Sequence, residues 1–240
     1  MLAVFPKEGH RVNSRLVMSF RNLASCGMTP PNSKPGHSDG WGMVTWIDDA
    51  PVYLGREPTD AFRDEKYAMA CEKLKQLHQS SPVLVHLRKA SVGLKVQKNT
   101  HPFLVHDWAF AHNGTIRKLG LKFTTDSQWF FESLMKIYEK NEDMTQSIQE
   151  QVHAVRETYP YSSITFVLSN GKVLYAYRDC TKYYDYYGMY FTQTDNAIVL
   201  CQEKFFDSDW KALGNGELLK INPGLNYSLI RVTEPVALHA

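Results

Sequence analysis

From Ser163 to Tyr177 the chain reads as two alternating runs, Ser163 to Leu168 and Lys172 to Tyr177, on either side of Asn170-Gly171. Alternation at period two marks a strand with one buried face, and Asn-Gly between two such runs is the strongest short-range hairpin signal. Four more strand-like segments follow, at Gly188 to Thr192, Ala197 to Cys201, Glu217 to Ile221 and Tyr227 to Val232. Hairpins therefore dominate over crossover connections, and the sheets are expected to be mostly antiparallel with helices packed outside them.

Upstream, helical spacing alternates with short strands. Asn13-Ser14 can cap a helix whose apolar face is Leu16, Val17, Phe20 and Leu23, with Gly27 as its stop. A loop rich in turn formers, 28–40, leads into strands at Trp41 to Ile47 and Pro51 to Leu54. Asp60 to His78 carries Tyr67, Cys71, Leu74 and Leu77 on one stripe and reads as a helix. Val83 to Arg88 is a strand, and a long loop separates it from another at Asp107 to His112. Ser127 to Lys140 and Met144 to Tyr159 have the spacing of two further helices.

With 27 Lys+Arg against 25 Asp+Glu, the net charge of +2 gives no electrostatic case for general nucleic-acid binding or a polybasic membrane contact. Apolar runs such as Leu2 to Phe5 are far too short to span a bilayer. No linker-like or like-charged block divides the chain, so a single domain over 1–240 is expected. The four cysteines, Cys26, Cys71, Cys180 and Cys201, show no CxxC spacing, which argues against a zinc ribbon or a disulfide framework. A reduced, cytoplasmic protein is the simplest expectation.

Reactive residue types gather in three places. These are His37-Ser38-Asp39-Gly40-Trp41-Gly42, His86-Leu87-Arg88-Lys89-Ala90-Ser91, and Asn99-Thr100-His101-Pro102-Phe103 followed by Ala111-His112-Asn113-Gly114. Taken singly, each has a plain reading. Arg88 could be a solvated arginine at a strand end, Asn113-Gly114 an ordinary turn dipeptide, and Asp126 a helix N-cap. His37, His86, His101, His112 and Asp39 could be read as metal ligands, but no HxH or HExxH spacing supports that. Hydrogen-bonded structural histidines are the better account. Neither a metal nor another cofactor is expected.

In this order and spacing the motifs resemble the class II glutamine amidotransferases, which are N-terminal-nucleophile hydrolases, and among them the standalone type 2 branch. The resemblance runs from about residue 1 into the helix after Asp126, with looser agreement through Trp210 to Ile221. It implies an α+β fold, an αββα four-layer sandwich of two mostly antiparallel sheets. It also implies a substrate, glutamine or another γ-glutamyl small molecule. By the resemblance Arg88 holds the α-carboxylate, a role its planar fork suits. Ser91 adds a hydroxyl to the same carboxylate, and Asp126 pairs with the α-ammonium. Asn113 and Gly114 match the oxyanion hole, one by its side-chain amide and the other by its backbone N–H. His101 is expected to order the loop that closes over the glutamyl end, with Asp39 and Gly40 shaping the opposite wall.

The family's nucleophile is an N-terminal Cys whose own α-amine, with a reference pKa of about 7.7–8.0, serves as general base. Leu2 stands in its nominal place. A leucine forms no thioester, so the chain as written cannot run the family reaction. Standalone members often begin Met-Cys-Arg-(Met/Leu)-Leu. Aligned that way, Met1 falls on an internal position of the first strand, and the expectation is a start placed three codons late, with Met-Cys-Arg just upstream. The rival expectation is a catalytically dead subunit that binds γ-glutamyl ligands or regulates. Cys26, Cys71 and Cys201 lack the free amine that the mechanism needs. No synthase domain is visible, so either a partner protein accepts the ammonia or hydrolysis is itself the purpose.

Overall fold

A computed structural model describes residues 1–77, 80–91, 93–120 and 125–234. Two antiparallel sheets lie face to face. The first is built from β1 (Leu2–Pro6), β2 (Trp41–Ile47), β3 (Ala50–Glu57), β4 (Val83–Leu87), β9 (Tyr190–Gln193), β10 (Ala197–Cys201) and β11 (Lys211–Ala212), in the order β11-β9-β10-β1-β4-β2-β3. The second comprises β5 (Phe103–Val105), β6 (Trp108–Ile116), β7 (Tyr161–Ser169), β8 (Leu174–Arg178), β12 (Glu217–Asn222) and β13 (Asn226–Arg231), in the order β13-β12-β8-β7-β6-β5.

Helices cover both outer faces. Val17 and Phe20 of α1 (Ser14–Phe20), Leu23 of α2 (Leu23–Cys26) and Tyr67, Cys71 and Leu74 of α3 (Glu65–Gln76) pack on Leu2, Val4, Val83 and Val85 of the first sheet. Phe130, Phe131 and Leu134 of α4 (Asp126–Asn141) and Ile148 and Val152 of α5 (Met144–Thr158) pack on Phe110, Ile164 and Phe166 of the second. Met1, Ala3, Val44, Leu84, Ala111, Val167 and Leu219 fill the layer between the sheets. The fold is thus the αββα sandwich, and its two central strands β1 and β4 are buried on both faces.

The local reasons are legible. Asn13 caps α1 through Arg15 N, and the chain breaks at Arg21-Asn22, so the single expected helix is two short ones. The helix expected from Asp60 begins at Glu65, because Asp64 is the residue that caps it through Lys66 N. His78, its expected end, lies outside the described residues. At the hairpin, Ser169 pairs with Leu174, and the Asn170 side chain accepts from Lys172 N and Val173 N while Gly171 takes a φ of 86°.

Candidate active site

One end of the layer between the sheets opens into a cavity of about 290 Å³. Its lining includes Met1 from β1's beginning, His86 and Arg88 from the end of β4, and Asn113 and Gly114 from β6. Asp126 from α4, His101 and Ser91 from the loops also line it. Six of the residues picked out in sequence (Arg88, Ser91, His101, Asn113, Gly114 and Asp126) therefore meet at one place. Asp39 and Gly40 do not line it.

Their role is different from the expected wall. Asp39 N donates to Arg88 O, Arg88 N donates to Gly40 O, and the Asp39 carboxylate accepts from Ala90 N. Lys95 forms an ion pair with the same carboxylate. Although partial burial opposes ionisation, the hydrogen bonds from Lys95 and Ala90 hold the Asp39 pKa below the usual range. Asp39 and Gly40 thus fix the backbone on both sides of Arg88. Gly42 completes the motif, since a Cβ there would overlap the carbonyl oxygen of His101, whose loop crosses over β2 at this point.

Arg88 is 4% exposed and its Nη1 donates to Leu94 O at 3.1 Å, an oxygen that also accepts from Asn99 Nδ2. Burial lowers the guanidinium pKa and Asp39 opposes that shift. Across the cavity, Asn113-Gly114 sits inside β6 rather than in a turn. Ala111 and Asn113 point the same way in the pleat, toward β1 and β4, and Asn113 Nδ2 donates to Gln202 Oε1 at 3.3 Å. The pairing of β6 with β7 slips between Gly114 and Ile116, where two steps on β6 face three on β7 from Ile164 to Tyr161, so β7 bulges opposite the segment that follows the glycine. Ser91 Oγ and Thr115 Oγ1 lie 3.0 Å apart, tying the two sides together.

Asp126 is not the N-cap of α4. Thr125 takes that place through Gln128 N, and Asp126 in the first turn accepts from Ile116 N at 2.7 Å. The next residue, Ser127, meets His112 Nδ1 at 2.8 Å, while His112 Nε2 lies 3.2 Å from Ser163 O. Because a carbonyl only accepts, Nε2 carries the proton and Ser127 donates to Nδ1. His112 is thereby a structural strut between α4 and β7.

The floor of the cavity is polar. His86 and His101 lie against each other with ring centroids 4.5 Å apart and planes tilted by 37°, and burial pushes the pKa of each well below the ordinary imidazole value. Among the described residues, the five buried side-chain polar atoms without a hydrogen-bond partner all belong to residues lining the cavity: His86 Nδ1, both His101 nitrogens, Asn99 Oδ1 and Gln202 Nε2. Buried polar groups ordinarily find partners, so a polar occupant suits this floor. Burial also lowers the pKa of the Met1 ammonium, against the opposing influence of Cys201 and Glu203. Among the described residues, no group of three His, Cys, Asp or Glu side chains is arranged to hold a metal ion.

Leu2, in the nominal place of a nucleophile, is turned away from the cavity into the core between the first sheet and its helices. Met1 faces the cavity instead. Cys26 is exposed and does not line the site; Cys71 is buried under a helix with its pKa pushed up to about 12 by burial. Cys201 does line the cavity, yet burial raises its pKa to about 11. Sequence reasoning missed Gln202, Tyr186, Tyr187, Ser162 and Ser127. Ser162 stands behind the cavity, and the other four line it from a strand end, a loop and the first turn of α4, whose meeting depends on the sheet order.

Residues 10–189 match the family model described as glutamine amidotransferases class-II. An uncharacterized protein of Methanocaldococcus jannaschii is 27% identical over 237 residues, covering 82% of this chain and 65% of that protein. The chain spans between 54% and 65% of the length of the first three curated relatives it matches. Among solved structures, a glutamine aminotransferase class-II domain protein from Silicibacter pomeroyi superposes with a TM-score of 0.61 at 18% identity, covering 82% of this chain and 92% of that one. The B. subtilis glutamine phosphoribosylpyrophosphate amidotransferase gives 0.65 at 11% identity over 98% of this chain and 49% of that one.

Proposed function

This chain belongs to the class II glutamine amidotransferases, and on that premise we propose that it hydrolyses the γ-amide of glutamine, or the matching bond of another γ-glutamyl compound, through a cysteine two residues ahead of Met1. The observation that carries this reading is the register of β1. Leu2 pairs with Val85 on β4 and with Cys201 on β10. Continuing the ladder from the Val85 pair by three positions sets the second residue before Met1 opposite Arg88. By strand alternation it shares Met1's face, toward the layer that holds Asn113. A cysteine there would point into the cavity, as Leu2 does not.

In this reading Arg88 and Ser91 take the α-carboxylate and Asp126 the α-ammonium. His101 belongs to the loop over the polar floor, and Asp39 and Gly40 act by holding Arg88. The thiolate adds to the γ-carbonyl carbon, and Asn113 Nδ2 and the Gly114 N–H donate to the oxyanion. The carbon–nitrogen bond then breaks, the leaving amine takes a proton from the terminal ammonium, and water adds to the thioester to release glutamate. The ammonia either passes to a partner protein or is simply released.

The test is to produce the chain with Met-Cys-Arg placed ahead of Met1, beside a Met-Ser-Arg control. Glutamate release from glutamine by the first and not the second is expected. A glutamate-binding extended chain with no turnover would overturn the hydrolase reading and favour a binding or regulatory subunit. The mass of the N-terminal peptide from the native locus decides independently whether that cysteine is present.

A further inference from the structure

Four of the six residues from Tyr183 to Gly188 are tyrosines, in the connection between β8 and β9. Arg178 pins this connection: its Nε donates to Tyr187 O and its Nη2 to Tyr184 O, each at 3.1 Å. Tyr187 N closes the turn on Tyr183 O. The pinned turn directs Tyr186 and Tyr187 to opposite sides of Gly114.

Tyr186 reaches the Asn113 side chain, and the hydrogen-bond directions there follow from one fixed donor. As an ammonium, or as the peptide N–H it becomes in the longer chain, the Met1 nitrogen only donates, so the Gln202 atom 3.3 Å away is an acceptor, Oε1. Asn113 lies 3.3 Å from that same oxygen and must present Nδ2 to it. That turns Asn113 Oδ1 toward Tyr186, whose hydroxyl donates across 3.4 Å. These contacts are long, as is common for catalytic groups before substrate binds. Burial raises the Tyr186 pKa, so the phenol keeps the proton it donates.

Tyr187 acts on the other side. The bulge after Gly114 takes Thr115 N out of the ladder, and Ser162 Oγ accepts from it at 3.1 Å. The Tyr187 hydroxyl sits 3.0 Å from the same Ser162 Oγ. The backbone N–H of Thr115, directly after Gly114, is therefore set by where Ser162 is held.

We propose that Tyr186 and Tyr187 are positioning residues for the oxyanion hole, Tyr186 choosing which atom of the Asn113 amide faces the reacting carbonyl and Tyr187, through Ser162, holding the bulge that presents the Gly114 N–H. This rests on the reading of Asn113 and Gly114 given above. Without the Tyr186 hydroxyl the amide is held only by the 3.3 Å contact to Gln202 Oε1, and each turn-over presents oxygen to an oxyanion, which repels it.

The experiment has two readouts. In nitrogen–proton correlation spectra of the chain as it stands, Tyr186→Phe should move the Asn113 side-chain amide pair, assigned by its loss in Asn113→Ser. Tyr187→Phe should move the Thr115 backbone amide, and Tyr183→Phe neither. In the chain extended by Met-Cys-Arg, Tyr186→Phe should lower kcat about tenfold with KM within about twofold, the split expected when a donor serves only the transition state. Amide signals that stay in place, or turnover unaffected by both substitutions, would overturn the inference. An extended chain that never turns over sinks the hydrolase reading instead, and the spectra still decide whether the tyrosines hold the two amides.

Discussion

Gly114 answers two demands at once. In the proposed reading its N–H donates to the oxyanion, and its α-carbon has to pass the backbone of β7. A Cβ built there would overlap the Ser163 carbonyl oxygen and lie 2.8 Å from His112 Nε2. Neither neighbour can step aside cheaply, because the oxygen is backbone and the imidazole is held by Ser127 and Ser163. Gly114→Ala should therefore destabilise the protein by about 1–3 kcal/mol, the usual cost of forcing an extra carbon into a packed site. Urea denaturation midpoints would show it; an unchanged midpoint would mean that β6 yields more easily than the packing suggests. Arg88, Asn113 and Asp126 were legible in sequence because their motifs come in a recognisable order. Gln202 and Tyr186 were not, since a lone Gln at a strand end and a Tyr in a loop carry no local signal until the strands that bring them together are known.

Among the elements, α5 is fastened to the second sheet by an ion pair rather than by packing alone. Arg156 Nη1 meets Asp179 Oδ2 at 2.6 Å and Thr233 Oγ1 at 2.8 Å, and Nη2 donates to Glu234 O. Asp179, whose side chain is fully buried, also accepts from the hydroxyls of Tyr161 and Tyr177 and from Asn215 Nδ2. Removing the cation leaves a buried carboxylate with only neutral donors. Arg156→Leu is expected to cost about 3–5 kcal/mol, and adding Asp179→Asn should recover part of it. A double-mutant cycle in urea measures both; additive losses would show that the two residues are not coupled. Local pattern revealed most such elements, including the full extent of β2 and β10 and the hairpin at Gly171. It missed β5 and β11, which are three and two residues long, too short for any period to register. It also stopped β6 at His112, because Asn-Gly reads as a turn unless a neighbouring strand is known to absorb it as a bulge.

At the scale of the molecule, the decisive step is invisible to local pattern: β1 inserts between β4 and β10, partners far apart in sequence, and so carries the chain's beginning to the cavity. The four-layer stacking was likewise an inference from resemblance, since alternation yields sheets but not their order. This closure gathers histidines from four segments at the same end of the sandwich. His37, His86, His101 and His112 all line the cavity, and burial lowers the pKa of each, that of His37 to about 4. Arg88 and the terminal amine lower His86 and His101 further, Lys89 and the terminal amine lower His37, and Asp39 and Asp126 oppose the shift at His37 and His112. In the unfolded chain each imidazole titrates near its reference value of about 6.5. Below that pH the unfolded state binds protons that the folded state refuses, so stability falls as pH falls, for His37 until the folded group itself takes a proton at about 4. Above about pH 7 all four are neutral in both states and contribute no slope. Asp39 and Asp64, whose folded pKa values are depressed, lose their contribution in a separate and lower window, as pH drops below their unfolded value of 3.8. The Met1 ammonium, also lowered from its unfolded value of 8.0, adds a slope of the same sign below about pH 8. Thermal midpoints should accordingly decline as pH falls from about 8, most steeply from about pH 6.5 to 5, a range lying mostly above that in which the carboxylates are protonated. Replacing His37 by Gln should make that decline shallower. A midpoint that holds steady or rises on acidification would mean that the histidines of the cavity take up protons in the folded protein, and that the polar floor is solvated rather than buried.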